Sequence, residues 1–369
     1  MPLNVGIVGL PNVGKSTIFS ALTSVPAEAA NYPFCTIDPN VGIVPVPDER
    51  LERLTEIIPT EKVIPTVVEF VDIAGLVRGA SKGEGRGNQF LAHIRETGII
   101  AHVVRCFDDD DVTHVDGSID PIRDIETIDI ELALADLETV TRREQRLEKE
   151  LKSHDKKVAA SAKALQPVLA VLTAHLQDGK PARSLELSAD QWAMIYDLHL
   201  LTAKPVLYVC NVDESGMDGS SPYEALVRDH AAREGAEVVR ICGQLEAEIA
   251  ALETQEERDA FLEDAGLKEP GLAHLIRSGY RGLGLRTFFT AGPKENRAWT
   301  FHEGATAPEA AGVIHTDFQK GFIRAETYHI DDLFTYGSEQ KVREAGKLRQ
   351  EGKEYRVKDG DVMFFKFNV

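Results

Sequence analysis

Residues Gly9-Leu10-Pro11-Asn12-Val13-Gly14-Lys15-Ser16 hold two glycines with four residues between them, then a lysine and a hydroxyl. In that spacing the glycines let backbone N–H groups curl around phosphate oxygens. Lys15 reaches the β and γ phosphates, and the Ser16 hydroxyl ligates Mg²⁺. A strand-like run, Val5-Gly6-Ile7-Val8, leads in and a helical pattern leads out from Ser16, so a helix N-terminus adds positive potential. Asn12, Val13, Gly14 and Thr17 complete the candidate phosphate-binding set. The chemistry indicated is phosphoryl transfer from a nucleoside triphosphate.

Asp72-Ile73-Ala74-Gly75-Leu76 follows the strand-like run Val67 to Val71. A second carboxylate is needed there to hold Mg²⁺ through water, and Gly75 can present its amide to the γ-phosphate. Gly79, Gly83, Gly85 and Gly87 make the following loop a candidate switch. Thr36 lies between the phosphate loop and the next strand, so the candidate metal set is Ser16, Thr36 and Asp72. Leu76 stands where many GTPases carry a glutamine that orients the attacking water. Leucine cannot do that. His114, on a loop after the strand ending near Phe107, is a titratable candidate; the alternative is a solvent-exposed loop histidine. Lys15 and His114 are therefore the catalytic candidates.

Asn211-Val212-Asp213-Glu214 follows the apolar run Pro205 to Cys210, where a guanine-reading Asn-Lys-x-Asp is expected. Val212 replaces the lysine and Glu214 the aspartate. In a guanine pocket the carboxylate accepts from N1–H and the 2-amino group, donors that adenine lacks on that edge. Glu214 is one methylene longer and misplaces the carboxylate for guanine. Losing that bidentate contact removes several kcal/mol of guanine preference, about the cost of unpaired buried polar groups. Asn211, Val212 and Glu214 are thus candidate base contacts for adenine, Asn211 on a purine edge and the backbone around Val212 on the 6-amino group.

Strands must position these residues. Apolar runs at 5–8, 41–46, 67–71, 99–104, 205–210 and 237–242 alternate with helical segments, the pattern of an α/β fold with a mostly parallel sheet. Between Asp120 and Lys204 the rhythm breaks. Leu137, Val140, Leu147, Leu151, Val158, Leu165, Val168 and Leu172 form a heptad-like stripe, read as one long helix. A turn at Gly179 and Pro181 and a returning helix around Trp192 to Leu201 would complete an inserted helical hairpin; the alternative is a simple bundle packed on the sheet. From residue 282 short alternating runs read as a small α+β domain closed by the strand 362–367.

The 369 residues are 43% hydrophobic and 27% charged, ordinary for a globular protein. A net charge of −19 argues against a generic nucleic-acid binder. The segment 141–165 is locally basic, a candidate polyanion contact or a solvated helix face. No apolar stretch reaches the roughly 18 residues that cross a bilayer, and no leader segment is expected. Of the four cysteines, 106, 210 and 242 lie in or beside strands and read as buried thiols in a reducing cytosol. Cys35, on the loop before Thr36, is a candidate peroxide-sensitive thiol or an inert buried sulfur.

Gly9 to Ser16, Asp72 to Gly85, Asn211 to Glu214, and the tail Asp317 to Glu326 with Val357 to Val362 together resemble the YchF or Obg-like ATPase family over nearly the whole chain. Arg86 departs from the pattern, where an apolar residue is expected. The resemblance implies a P-loop nucleotide-binding domain over 1–281 with a coiled-coil insertion at about 121–203, and a β-grasp TGS domain over 282–369. It also implies ATP hydrolysis in preference to GTP, dependence on Mg²⁺, and a cytoplasmic monomer, not bound to membrane. Ribosomes, with a ribosomal RNA contact, are the partner it implies, reached through the helical arm and the TGS domain. His114 aligns with the histidine the family uses in place of the missing glutamine. Two alternatives stay open: a conventional GTPase that tolerates the altered base motif, and a nucleotide-gated ribosome- or RNA-binding module with incidental hydrolysis.

Overall fold

The computed structural model describes residues 3–24, 40–73, 86–109 and 117–368. Its strands are β1 (Asn4–Val8), β2 (Val41–Pro45), β3 (Val63–Ile64), β4 (Val67–Asp72), β5 (Ile99–Arg105), β6 (Val206–Asn211), β7 (Glu237–Ile241), β8 (Leu285–Thr290), β9 (Asn296–His302), β10 (Phe322–His329), β11 (Arg349–Glu351) and β12 (Asp361–Phe367). One sheet runs β2-β4-β1-β5-β6-β7, and the β4/β1, β1/β5, β5/β6 and β6/β7 pairs are parallel. Every residue of β5 and β6 is buried, which is why these strands read as near-continuous apolar runs, broken only by His102 and by Arg105 and Asn211 at their ends. The chain goes from β1 to β4 on one side and then to β5 on the other. Such a reversal leaves a crevice at the carboxyl ends of the strands.

Two compact units divide the chain, 1–42 with 69–279 and 43–68 with 280–369. The segment 43–68 was expected in the nucleotide-binding domain, and it falls instead in the second unit. Its helix Glu49–Ile57 buries Leu51 and Leu54 in a cluster with Phe289, Tyr328, Leu333 and Val362, while β3 pairs with β9. An amphipathic helix declares that it has a partner but not which one.

The inserted hairpin is present, but its turn is elsewhere. Helix Pro121–Glu150 ends before Leu151, and helix Lys156–Gln177 returns from Asp155, whose side chain accepts from Lys157 N–H at 2.8 Å. The heptad stripe is therefore two helices facing each other. Val140 and Leu147 of the first pack with Leu165, Val168 and Leu172 of the second, whereas Val158 is exposed. The turn preserves the seven-residue step from Leu151 to Val158 by coincidence, and that step hid it. The segment near Trp192 is a short helix, Ala189–Ile195, capped by Ser188 and Gln191, not a full returning helix.

At the arm's root the Asp136 carboxylate accepts from the N–H groups of Leu201 and Thr202, each at 2.8 Å. Arg183 Nη2 donates to both Asp129 oxygens at 3.0 and 2.8 Å, and its Nε donates to Glu234 Oε2 at 3.1 Å. Tyr208 of β6 donates to the same Glu234 oxygen at 2.9 Å. The basic segment 141–165 forms the distal end, with Arg146, Lys149, Lys152, Lys156 and Lys157 exposed. Arg142 and Arg143 pair with Glu138 and Glu150.

The second unit has the sheet order β11-β10-β12-β8-β9-β3, with β8/β9 and β10/β12 antiparallel and β12 beside β8 in parallel. Helix Ala307–Ile314 packs Ala307, Ala310 and Ala311 against Phe288, Phe322 and Met363. The Lys358-Asp359-Gly360-Asp361 stretch is structural. Asp359 Oδ1 accepts from Thr287 N–H at 2.8 Å and its Oδ2 from Arg50 at 2.7 Å; Asp361 Oδ2 accepts from Tyr355 at 2.8 Å.

Candidate active site

β1 runs into the phosphate loop and the loop into helix Lys15–Ser24. The loop needs two left-handed residues, Asn12 at φ 63° and Gly14 at φ 97°. Asparagine tolerates that region. At Gly14 a side chain is also excluded by space, because its Cβ would stand 2.2 Å from Asn211 Nδ2. Gly14 O accepts from Ile18 N–H at 3.0 Å, which starts the helix and leaves its first N–H groups for an anion. Lys15 folds back over the loop, its Nζ donating to Leu10 O at 2.8 Å, and is 8% exposed. Ser16 and Thr17 are exposed on the cavity wall.

Asp72 ends β4 in register with Ile7 of β1, and its N–H donates to Asn40 O at 2.9 Å. Its Oδ1 is buried and has no hydrogen-bond partner among the described residues. Burial pushes this carboxyl up, opposed by the Lys15 cation; burial likewise pushes the Lys15 ammonium down, opposed by Asp72. A buried carboxylate oxygen without a donor, together with an exposed serine hydroxyl, is the donor chemistry that a hard divalent cation takes. The residues fit such an ion.

Asn211 ends β6 and is buried. Its Nδ2 donates to Val13 O and its Oδ1 accepts from Gly243 N–H, both at 2.9 Å. Asn211 therefore clasps the phosphate loop to helix Gly243–Ala251. Val212 is buried, with its N–H donating to Ile241 O at 2.8 Å. Asp213 caps the short turn Glu214–Asp218, its Oδ1 accepting from Gly216 N–H at 2.8 Å and Ser215 Oγ at 2.9 Å. Glu214 is exposed and does not line the cavity, although its position in the base motif suggested that it would. The turn begins at Glu214 itself, and that carries its side chain off the wall.

A cavity of about 760 Å³ joins Asn12, Gly14, Lys15, Ser16 and Thr17 to Asn211 and Val212. Val13 is buried behind the loop and contributes its carbonyl to the Asn211 clasp. Thr36, Gly75 and His114 lie outside the described residues, as do Leu76 and Cys35. Sequence reasoning missed Phe107, Asp108 and Asp109 beyond β5, and one face of helix Gly243–Ala251 carrying Gln244, Ala247 and Glu248. Buried Arg105 holds the first group: its Nε donates to Phe107 O at 3.2 Å and its Nη2 to Asp109 O at 3.1 Å. Tyr223 donates to the Asp108 carboxylate at 3.1 Å. The available signal was positional, since Phe107 and Gly243 closely follow the carboxyl ends of β5 and β7, where ligands of open α/β sheets bind.

The opposite face of that helix carries a pH-sensitive group. Glu246 is 1% exposed; its Oε1 accepts from Gly271 N–H at 2.6 Å and its Oε2 has no partner among the described residues. Burial pushes its carboxyl from 4.5 up to about 7, opposed by the Gly271 and Leu272 N–H groups. Between those values the folded chain keeps a proton that the unfolded chain releases, so stability falls as pH rises through that window. The contribution is roughly 3 kcal/mol. Urea unfolding at pH 5 and pH 8 should show this loss, and Glu246→Gln should flatten it.

Comparison with known proteins returns consistent relatives. A family model described as 50S ribosome-binding GTPase matches residues 4–174, and the YchF-GTPase_C model, described as a protein of unknown function, matches 285–368. The Ribosome-binding ATPase YchF of Escherichia coli O157:H7 is 56% identical over 369 residues, and that of Bacillus subtilis (strain 168) is 55% identical over 371, each comparison covering 100% of both chains. A solved structure of the Schizosaccharomyces pombe YchF GTPase shares 38% identity at a TM-score of 0.88, covering 99% of this chain and 97% of that one.

Proposed function

The chain belongs to the YchF family, and from that premise we propose that it is a Mg²⁺-dependent ATPase that associates with ribosomes. The observation that carries the choice of ATP is the fate of the fourth base-motif residue. Glu214 is exposed and off the cavity wall, so guanine's N1–H and 2-amino group would enter the pocket without the carboxylate that reads them. The one carboxylate of this motif on the wall, Asp213, is occupied as a turn cap. An adenine makes no such demand, and this favours ATP.

Lys15 would exchange its Leu10 carbonyl for the β and γ phosphates. Ser16, Thr36 and Asp72 would hold Mg²⁺, directly or through water, and the ion when bound neutralises charge developing on the phosphate oxygens. Gly75 would offer its amide to the γ-phosphate. His114 would place the attacking water, the task Leu76 cannot perform. Ribosome association would use the basic end of the arm, where exposed lysines and Arg146 offer cations to a polyanion, and the C-terminal TGS-type unit.

Calorimetric titration with ATP and GTP tests the nucleotide class. The unmodified protein should bind ATP at least as tightly as GTP. Tighter GTP binding by the unmodified protein overturns this function.

A further inference from the structure

A second cavity, of about 480 Å³, opens at the opposite end of the parallel sheet from the phosphate loop. Gly98, just before β5, and Pro205, just before β6, form part of its floor. The segment after the arm supplies the rest, with Trp192, Tyr196 and His199 on the wall beside Arg95 and Lys204.

Three features set this slot apart. Tyr196 is 61% exposed, and its ring meets His199 edge-on with centroids 6.0 Å apart, so a large aromatic surface faces solvent with no partner ring above it among the described residues. His199 adopts the left-handed region at φ 46°; among the described residues the only other non-glycine to do so is Asn12, in the phosphate loop. That backbone caps the single helical turn Tyr196–Leu198, the His199 N–H donating to Tyr196 O at 3.3 Å, and so fixes where the imidazole stands on the wall. Every ionisable wall residue other than Tyr196 is basic, although the chain carries a net −19. Lys204 donates to the backbone carbonyls of Arg95 and Thr97, which ties the end of helix Arg86–Arg95 into the wall.

Flat aromatic faces beside cations, with no carboxylate on the wall, match a planar ring joined to an anion. We propose that this slot takes one unpaired nucleotide of a single-stranded RNA, its base stacked on Tyr196 and its phosphate held by Arg95 and His199. Bases in a duplex cannot be stacked on a protein ring, whereas splayed bases of a single strand can. The choice of RNA over DNA rests on the ribosome association proposed above, whereas the stacking chemistry stands on the slot alone.

The test is fluorescence anisotropy of a labelled hexaribonucleotide with the full chain, its phosphate-loop site saturated by a non-hydrolysable ATP analogue. Tyr196→Ala should weaken binding about tenfold, the low end for one lost stacking contact, while Tyr196→Phe should bind like the parent. Arg95→Gln should flatten the dependence of log K on log salt by about 0.7. ATP affinity of Tyr196→Ala, unchanged, reports that the variant is folded. No hexaribonucleotide binding, or equal binding by Tyr196→Ala, overturns the assignment. So does Tyr196-dependent binding of an acidic aromatic peptide without RNA, or of a hexadeoxynucleotide alone. Ribosome co-sedimentation, measured separately, tests the proposed function; its failure with Tyr196-dependent RNA binding intact leaves the slot standing.

Discussion

In an Asp72→Asn variant, hydrolysis is expected to fall about 10²- to 10³-fold, the range for loss of one preorganised electrostatic contact to a transition state. The substitution keeps shape and volume, so the β1/β4 register should survive it. What it removes is the negative charge on a buried oxygen that has no partner among the described residues. An amide there is a weak ligand for a hard cation and leaves Lys15 without its opposing carboxylate. Single-turnover hydrolysis across a Mg²⁺ titration separates the outcomes. A loss of rate that high Mg²⁺ partly restores supports the metal role. An unchanged rate would remove Asp72 from the reaction.

Arg183→Met should destabilise the first unit by about 3–5 kcal/mol, the cost of stranding buried charges. Arg183 is 11% exposed and lies between Asp129 and Glu234, which are 8% and 10% exposed. Carboxylate atoms of Asp129 and Glu234, with a ring nitrogen of His230, all lie within 4.8 Å of one another. Burial already pushes the Asp129 carboxyl up, and Arg183 is the main opposing influence. Without the guanidinium one acid must take a proton or both must repel. Urea unfolding monitored by circular dichroism reads the loss, and adding Asp129→Leu to Arg183→Met should recover part of it. If Arg183→Met unfolds at the parent's urea midpoint, the network contributes no net stability.

What could be read from the chain follows from how local each feature is. The phosphate loop is legible because its geometry depends on consecutive residues, down to the glycine at φ 97°. Asp72 and Asn211 are legible because each ends a strand whose apolar run is plain. Gly243 and Phe107 carry no distinctive chemistry; they reach the cavity only because β5, β6 and β7 lie side by side. Glu214 stands exposed and off the cavity wall because one residue decides where a short turn begins. The arm's stripe reads as one helix because the turn preserves its period, although Asp155 marks where a second helix begins.

The Asn211 clasp carries a further consequence for fidelity. One amide side chain grips the Val13 carbonyl with one end and the Gly243 N–H with the other. A base seated against Val212 and the start of helix Gly243–Ala251 would, on a poor fit, pull on the same side chain that holds the phosphate loop in shape. Misfit at the ring end would then become misalignment at the γ-phosphate, where small displacements cost most. Discrimination between purines should accordingly appear as slower turnover as well as weaker binding, so that a wrong nucleotide which does bind is still spent slowly.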